Sequence, residues 1–156
     1  MTNHITIKNL NIVYQKAGTG KQTLLLLHGW GQSHAFWKDF VRFFEKEYTI
    51  YVLDLPGFGL SQEPSTNWTV EDYSEFINKF VIARNISEPI IIGHSFGGRI
   101  ASVYSSKFPV KKLILYSTGG LPQRSIQTIF FKYVVNQLGK YLFPNLLYQV
   151  HTIIFK

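Results

Sequence analysis

A serine flanked by two glycines is the feature of this chain with the clearest chemistry. Residues 93–97 read Gly-His-Ser-Phe-Gly and follow the apolar run Pro89–Ile92. A serine at a sharp turn between a strand and a helix exposes its hydroxyl, and the residues two positions before and after it must be small so that the backbones can pass. Gly93 and Gly97 meet that need. The pattern therefore predicts that Ser95 is a nucleophile.

The residues on either side of this turn have the patterns that a strand and a helix require. Pro89–Ile92 contributes a short β-branched run of the kind that forms a buried parallel strand. Arg99–Phe108 (RIASVYSSKF) has the spacing of a helix, and Pro109 ends it. The order that the serine needs, strand then turn then helix, is therefore present.

Two other apolar strands are predicted to end in glycine-containing loops. Thr23–Leu27 runs directly into His28–Gly31 (HGWG), and Tyr48–Leu53 runs into Asp54–Ser61 (DLPGFGLS). The remaining predicted elements are a hairpin over Ile5–Tyr14 with its turn at Lys8 and Asn9, a helix over Phe36–Phe44, a helix over Val70–Arg84 capped by Thr69, and a strand over Lys111–Tyr116. Strands that alternate with helices predict a parallel sheet with helices on both faces.

The sequences of the three glycine-containing segments resemble those of the α/β-hydrolase superfamily. The motifs HGWG, DLPGFGLS and GHSFGG are similar to those of small carboxylesterases such as the pimeloyl-carrier-protein methyl ester esterases. The resemblance spans nearly the whole chain. It implies an α/β-hydrolase fold and a small-molecule ester or acyl-carrier-linked substrate. Related dehalogenases and epoxide hydrolases carry an aspartate where this chain has Ser95, which argues against those reactions. Hydrolysis of esters, thioesters, amides or carbon–carbon bonds, and perhydrolysis, remain open.

The same resemblance implies an oxyanion hole. Its two donors would be the backbone N–H groups of Trp30 and Phe96, and the positive end of the helix that begins near Ser95 would add to them. Gly29, Trp30 and Phe96 would contact substrate, with Trp30 forming a wall of the acyl pocket. These residues, with the Ser95 nucleophile, are the predicted site.

The partners of a serine nucleophile are expected later in the chain, an acid and then a histidine. No Asp or Glu follows Ser95, and residues 117–120, an alternative family position for the acid, contain no carboxylate. His151 is the only later histidine, and a histidine on an amphipathic segment is more often a surface or packing residue than a base. The sequence therefore predicts a hydrolase that lacks the acid and base of its triad.

The polar residues before the serine are assigned no catalytic role. His28 and His94 occupy positions where the family has histidine for loop and packing reasons, and Asp54 is interpreted as a structural residue of its turn. No motif in the sequence indicates a function for His4 or His34.

Length and composition limit the possible classes. At 156 residues the chain is long enough for one domain with a buried core. It has no cysteine, which excludes disulfides and cysteine-ligated metals, and nothing in it calls for a metal or an organic cofactor. The N-terminus lacks the apolar stretch of a signal peptide, and no run approaches the roughly 20 apolar residues of a membrane span. We therefore expect a cytoplasmic protein.

The net charge of +7 is unevenly distributed. All nine acidic residues lie at or before Glu88, whereas eight basic residues follow Ser95 with no acid among them. The excess could attract an acidic carrier protein or a membrane surface, or its neutralising acids could belong to sequence that is absent here. Nucleic-acid binding is disfavoured because the basic residues are scattered and form no recognisable module.

Beyond Leu121 the chain becomes basic and rich in aromatic residues, with the spacing of two or three amphipathic helices. The resemblance implies that a helical lid begins here. The sequence thus predicts an α/β-hydrolase core with the first six strands over residues 1–120 and the start of the lid over 121–156, where the chain is cut off. Without a further strand, Leu113–Tyr116 would be left as an exposed sheet edge.

Three functional hypotheses follow. The first is an esterase-like serine hydrolase that is incomplete because its acid and base are absent. The alternative is an inactive pseudo-hydrolase that binds a protein partner through its open sheet edge and basic lid. The third is a peripheral membrane binder that uses residues 127–156. The acyl length and the oligomeric state stay open.

Overall fold

The computed structural model describes residues 2–119 and the backbone of a strand at Thr152–Phe155. Its strands form one sheet in the order β1-β2-β4-β3-β5-β6-β7. The bounds are β1 (Thr2–Ile7), β2 (Leu10–Ala17), β3 (Gln22–Leu27), β4 (Tyr48–Leu53), β5 (Ile90–His94), β6 (Lys112–Tyr116) and β7 (Thr152–Phe155). The four central strands pair in parallel, whereas β2 and β7 run antiparallel to their neighbours. The mostly parallel sheet that the sequence predicts is confirmed.

Within residues 2–119, three helices and one 3-10 turn connect the strands. The turn at His34–Trp37 leads into α1 (Lys38–Phe44), and the other helices are α2 (Val70–Ala83) and α3 (Phe96–Lys107). No helix in the described part of the chain is long and apolar enough to cross a membrane.

Alternate residues of the central strands supply two separate cores, one on each face of the sheet. Leu25 and Leu27 of β3 belong to the core that α2 and α3 cover. Leu24 and Leu26 belong to the second core, together with Trp37 and other residues beside α1. Because successive side chains of a strand point to opposite faces, an unbroken leucine run is what a strand covered on both faces requires.

On the face of the sheet that carries α1, the described residues line an apolar groove of about 410 Å³. It runs between α1 and strands β5 and β6. Its lining includes Phe40, Ile92, Ile114 and Tyr116.

Two sequence predictions were wrong in their details. The helix after Ser95 begins at Phe96, near Ser95 as the resemblance implies, whereas the spacing of the residues indicated a start at Arg99. The glycine pair at 97 and 98 hides this start from a propensity argument, because glycine is a poor helix former. The backbone nonetheless closes its first turn there, since the amides of Gly98 and Arg99 both donate to the carbonyl of Ser95, at 3.1 and 3.2 Å.

The second error concerns the sheet edge. The sequence leaves Leu113–Tyr116 unpaired and places helices in the segment up to Phe155, but β7 pairs antiparallel with β6, with Leu113 opposite Phe155 and Tyr116 opposite Thr152. Four residues of the type Thr-Ile-Ile-Phe are typical of a strand, and the amphipathic pattern of the preceding residues obscured them. Of the lid predicted for residues 121–156, all but the strand Thr152–Phe155 lies outside the described residues, including His151.

Candidate active site

Ser95 occupies the turn between β5 and α3 in a conformation that serine rarely adopts. Its φ is 48° and its ψ is −109°, where a side chain other than glycine is strained. An ordinary N-cap serine has extended backbone and its hydroxyl accepts from the first turn of the helix, but the Ser95 side chain makes no such bond. The Ser95 amide instead donates to the carbonyl of Tyr116 at 3.0 Å, which ties the turn to the neighbouring strand. Helix capping therefore does not account for this serine.

The structure accounts for the two glycines around Ser95. A Cβ on Gly93 would lie 2.5 Å from the carbonyl oxygen of Gly97. A Cβ on Gly97 would come even closer to the carbonyl of Leu27, at the end of the neighbouring strand β3. Both positions need glycine because backbone segments pass there within contact distance, as the sequence predicts.

The loop after β3 lies beside this turn. Leu27 stands opposite Gly93 in the parallel pair of β3 and β5, so the loops that follow the two strands leave the sheet at the same edge. Their aromatic side chains meet, with 5.2 Å between the ring centroids of Trp30 and Phe96. The two predicted oxyanion donors therefore belong to residues that are in contact.

The peptide group between Gly29 and Trp30 is held in one orientation. Its carbonyl oxygen accepts from His28 Nδ1 at 2.8 Å and from the Gln32 amide at 3.2 Å. The described chain has no cis peptide bond, so the Trp30 N–H points away from that carbonyl. Fixing the carbonyl therefore fixes the direction of the N–H.

His28 is fully buried and acts as a connector in this loop. Its Nε2 accepts from the Leu55 amide at 3.0 Å, so the proton must sit on Nδ1, which donates to Gly29. Burial lowers the pKa of His28, which favours the neutral ring that this pair of bonds requires. The structural role predicted for His28 agrees with these contacts.

His94, which precedes the serine, is held by stacking. Its ring lies 4.5 Å from that of Phe36 at an angle of 19°, and 4.9 Å from that of Tyr116 at 38°. Its Nδ1 lies 3.0 Å from Gln32 Oε1, and burial lowers its pKa. These contacts agree with the predicted packing role.

A buried carboxylate holds the third loop. Asp54 accepts from Nδ1 of His34 at 2.8 Å, from the His34 amide, and from the Leu60 amide at 2.9 Å. It thereby joins the turn before α1 to the loop after β4, in agreement with its predicted structural role. The His34 contact was missed because a half-exposed histidine of the 3-10 turn gives no periodic signal in the sequence.

Phe58 is a second residue that the sequence analysis missed. Its ring lies 5.0 Å from the Trp30 ring at 76° and 6.2 Å from the Phe96 ring, so the three form a connected aromatic wall. Trp30 is 71% exposed, whereas Phe58 and Phe96 are half-buried. The aromatic residue inside the glycine-rich segment of residues 54–61 was the available signal.

The described residues contain no carboxylate after Ser95, because the last acid of the chain is Glu88. Within residues 2–119, no group of three His, Cys, Asp or Glu side chains is arranged to hold a metal ion.

The family model described as the alpha/beta hydrolase fold matches residues 22–148. Among curated proteins, the chain is 30% identical over 112 residues to a pimeloyl-[acyl-carrier protein] methyl ester esterase of Hamiltonella defensa, covering 72% of this chain and 41% of the relative. It is 33% identical over 112 residues to the 1-acylglycerol-3-phosphate O-acyltransferase ABHD5 of Rattus norvegicus, covering 68% of this chain and 32% of that protein.

A solved structure of a membrane phospholipase A, described as a bacterial virulence factor, superposes with a TM-score of 0.75 at 33% identity. The superposition covers 80% of this chain and 42% of that one. The chain thus spans from a third to under half of the length of these relatives.

Proposed function

Because this chain belongs to the α/β hydrolase fold family, we propose that its chemistry is the cleavage of a carboxylic ester or thioester by Ser95. The observation that carries the proposal is the backbone of Ser95, strained at φ 48° with a hydroxyl that caps no helix. Strain of this kind persists where function requires it. The esterase and phospholipase named among the relatives support ester chemistry.

In the proposed reaction the Ser95 oxygen attacks the carbonyl carbon of the substrate. The carbonyl oxygen becomes an oxyanion, which accepts hydrogen bonds from the amides of Trp30 and Phe96. The Phe96 amide suits this role because the first amides of a helix have no acceptor within the helix. A general base takes the serine proton and passes it to the departing alkoxide or thiolate, and water then hydrolyses the acyl-enzyme.

The substrate we propose is a small-molecule or acyl-carrier-linked ester. The wall formed by Trp30, Phe58 and Phe96 would contact its acyl group or leaving group, because these rings border the turn that carries Ser95. Gly29 precedes Trp30 in the same loop, and we propose that its backbone contacts the substrate.

The 156 residues by themselves offer no acid for a triad after Ser95, so we propose that they are inactive alone. The test is hydrolysis of p-nitrophenyl butyrate by the wild type and by Ser95→Ala, with and without added imidazole as a substitute base. Without imidazole we expect equal rates. With imidazole we expect a butyryl group on Ser95, detected by mass spectrometry, in the wild type alone.

The two results separate the parts of the proposal. Turnover without imidazole that Ser95→Ala abolishes would confirm the nucleophile and contradict the proposed inactivity. Acylation at a different residue in the presence of imidazole would contradict the role of Ser95.

The alternative of partner binding depended on an unpaired edge of β6. That edge pairs with β7, so this observation no longer favours the alternative. We therefore retain ester cleavage as the one proposed function.

A further inference from the structure

We propose that Gln32 is a positioning residue that locks the loop carrying the Trp30 donor to the histidine that precedes Ser95. Its catalytic meaning rests on the proposed function, but the contacts and the test below require no substrate. Gln32 belongs to no motif that the sequence displays.

The Gln32 side chain joins two segments that are far apart in the chain. Its Oε1 accepts from the Gly29 amide at 2.9 Å and lies 3.0 Å from Nδ1 of His94, which is 62 residues away in sequence. The Gln32 amide donates to the Gly29 carbonyl at 3.2 Å. One residue therefore holds Gly29 at both its N–H and its carbonyl, and holds His94 as well.

These bonds determine which nitrogen of His94 carries the proton. The Gly29 N–H can only donate, so the Gln32 atom that faces it must be the carboxamide oxygen and not the nitrogen. That oxygen is an acceptor for His94 too, so His94 Nδ1 must be the donor. His94 therefore carries a proton on Nδ1.

Gly29 is closely packed against the side chains of His94 and Gln32. A Cβ on Gly29 would lie 2.8 Å from His94 Nδ1 and 2.9 Å from Gln32 Oε1. The His94 ring stacks on Phe36 and contacts the tilted ring of Tyr116, so moving it away from the loop would break these contacts. Gln32 therefore connects the loop to a rigid anchor at the end of β5.

Through these bonds, Gln32 controls the direction of the Trp30 N–H. With the Gly29 N–H held by Gln32 and its carbonyl held by His28 and the Gln32 amide, the peptides on both sides of Gly29 have fixed orientations. Without the Gln32 oxygen, the Gly29 amide loses its acceptor and the loop gains freedom to rotate. A displaced donor stabilises an oxyanion less, because the effect depends on donors placed in advance.

The test uses the full chain labelled with nitrogen-15 and compares the wild type with Gln32→Leu, Gln32→Glu and Gln62→Leu. Gln62 is the matched control, because its Oε1 also accepts from a backbone amide, that of Asn11 at 3.1 Å, outside the loop. At pH 7.5 we expect the His94 nitrogen shifts of the wild type to report a proton on Nδ1. Gln32→Leu should redistribute that proton to Nε2, and Gln62→Leu should not.

Hydrogen exchange of the Gly29 amide gives a second readout. Gln32→Leu should speed it by about two- to tenfold, the effect of losing one hydrogen bond. Gln32→Glu keeps an acceptor and should retain the protection, while its charge raises the pKa of His94 above that of the wild type. A general loss of folding would instead alter amides throughout the chain in all three variants.

A wild-type His94 protonated on Nε2 would overturn the proposal, as would Gly29 exchange that Gln32→Leu leaves unchanged. Neither result would bear on Ser95, because the acylation experiment tests that residue separately.

Discussion

At the scale of single residues, the candidate site depends on neutral, buried polar groups. His28 is fully buried and uses one ring nitrogen as a donor and the other as an acceptor, which only the neutral ring can do. Protonation would place two donors in a site that holds one acceptor and one N–H. The pKa of His28 lies below its usual value chiefly because burial disfavours the charged ring.

The stability of the fold should therefore fall as the pH is lowered below about 6.5, the value for an unperturbed histidine. In that range the unfolded chain binds a proton that folded His28 does not, so acid favours unfolding. The stabilisation is fully present above pH 6.5 and is lost as the pH falls through the lowered pKa of the folded state. Urea unfolding at pH 7.5, 6.5 and 5.5 measures it.

The control for this pH dependence is His28→Gln, which should lose part of the change in unfolding free energy. His94 contributes in the same direction because burial lowers its pKa too. An equal pH dependence in the wild type and in His28→Gln would show that His28 titrates alike in the folded and unfolded chain.

Gly97 permits a second prediction at this scale. Gly97→Ala should destabilise the fold by about 1–3 kcal/mol, the usual effect of inserting a methyl group into a packed site, because its Cβ would strike the carbonyls of Leu27 and His28. Gly119→Ala is the matched control, since a Cβ there meets nothing within 4 Å. Urea unfolding free energies of the two variants should differ clearly, and equal values would contradict the close approach of β3 to α3.

At the scale of elements, α2 shows how local sequence determines a helix boundary. The Thr69 hydroxyl accepts from the Asp72 amide at 3.2 Å, and the Asp72 carboxylate accepts from the Thr69 amide at 2.8 Å, which together form a capping box. The hydrogen bonds to Thr69 lower the pKa of the Asp72 carboxyl. The predicted start of this helix is therefore confirmed with its cap.

Thr69→Ala should reduce the free energy of unfolding by about 1 kcal/mol, because it removes the side-chain acceptor at the helix start. Thr69→Ser should restore most of the loss. Thr66→Ala, an exposed neighbour outside the helix, should change stability by less than about 0.5 kcal/mol. Chemical denaturation of the three variants checks the prediction, and a loss with Thr66→Ala as large as that with Thr69→Ala would contradict it.

Elements whose residues carry their own pattern were predictable from the sequence. Tyr48–Leu53 was predicted with its observed bounds, because its aromatic and β-branched residues are typical of a strand and its last four residues are buried. The start of α3 was not predictable from residue spacing, because its glycines permit close backbone contacts but have low helix propensity. The strand β7 was missed because four residues give too short a pattern to outweigh the amphipathic spacing before them.

The same distinction holds within the site. The motif of Ser95 and its two glycines can be recognised in the sequence, because the turn permits few other residues. Gln32 and His34 do not, because each acts through a partner at least 20 residues away that only the folded sheet brings near. The sequence thus predicted the strained turn of the candidate nucleophile and missed the side chains that hold the loops around it.

At the scale of the whole molecule, the two cores share the central strands and should unfold together. Trp37 lies in the core beside α1, whereas Trp68 packs against the core under α2 and α3. β3 and β5 contribute side chains to both. Loss of either core therefore removes packing from the strands on which the other depends.

In each of two variants that retain one of these tryptophans as the sole indole, fluorescence and far-UV circular dichroism should give the same unfolding midpoint in urea. Trp30 is replaced by phenylalanine in both, and the second substitution is either Trp37→Phe or Trp68→Phe. The two probes are compared within each variant, because the substitutions by themselves change the stability. A fluorescence midpoint that departs from the circular dichroism midpoint in either variant would contradict a single cooperative unit.

The strand order also has a consequence during synthesis on the ribosome. β3 pairs with β4 on one side and with β5 on the other, yet 36 residues separate the end of β4 from the start of β5. At translation rates of 5–20 residues per second, the apolar edge of β3 waits about 2–7 s for its second neighbour. During that interval the nascent chain presents an open, leucine-rich edge to any extended peptide in reach, so a pause in translation before Ile90 would raise the risk of mispairing.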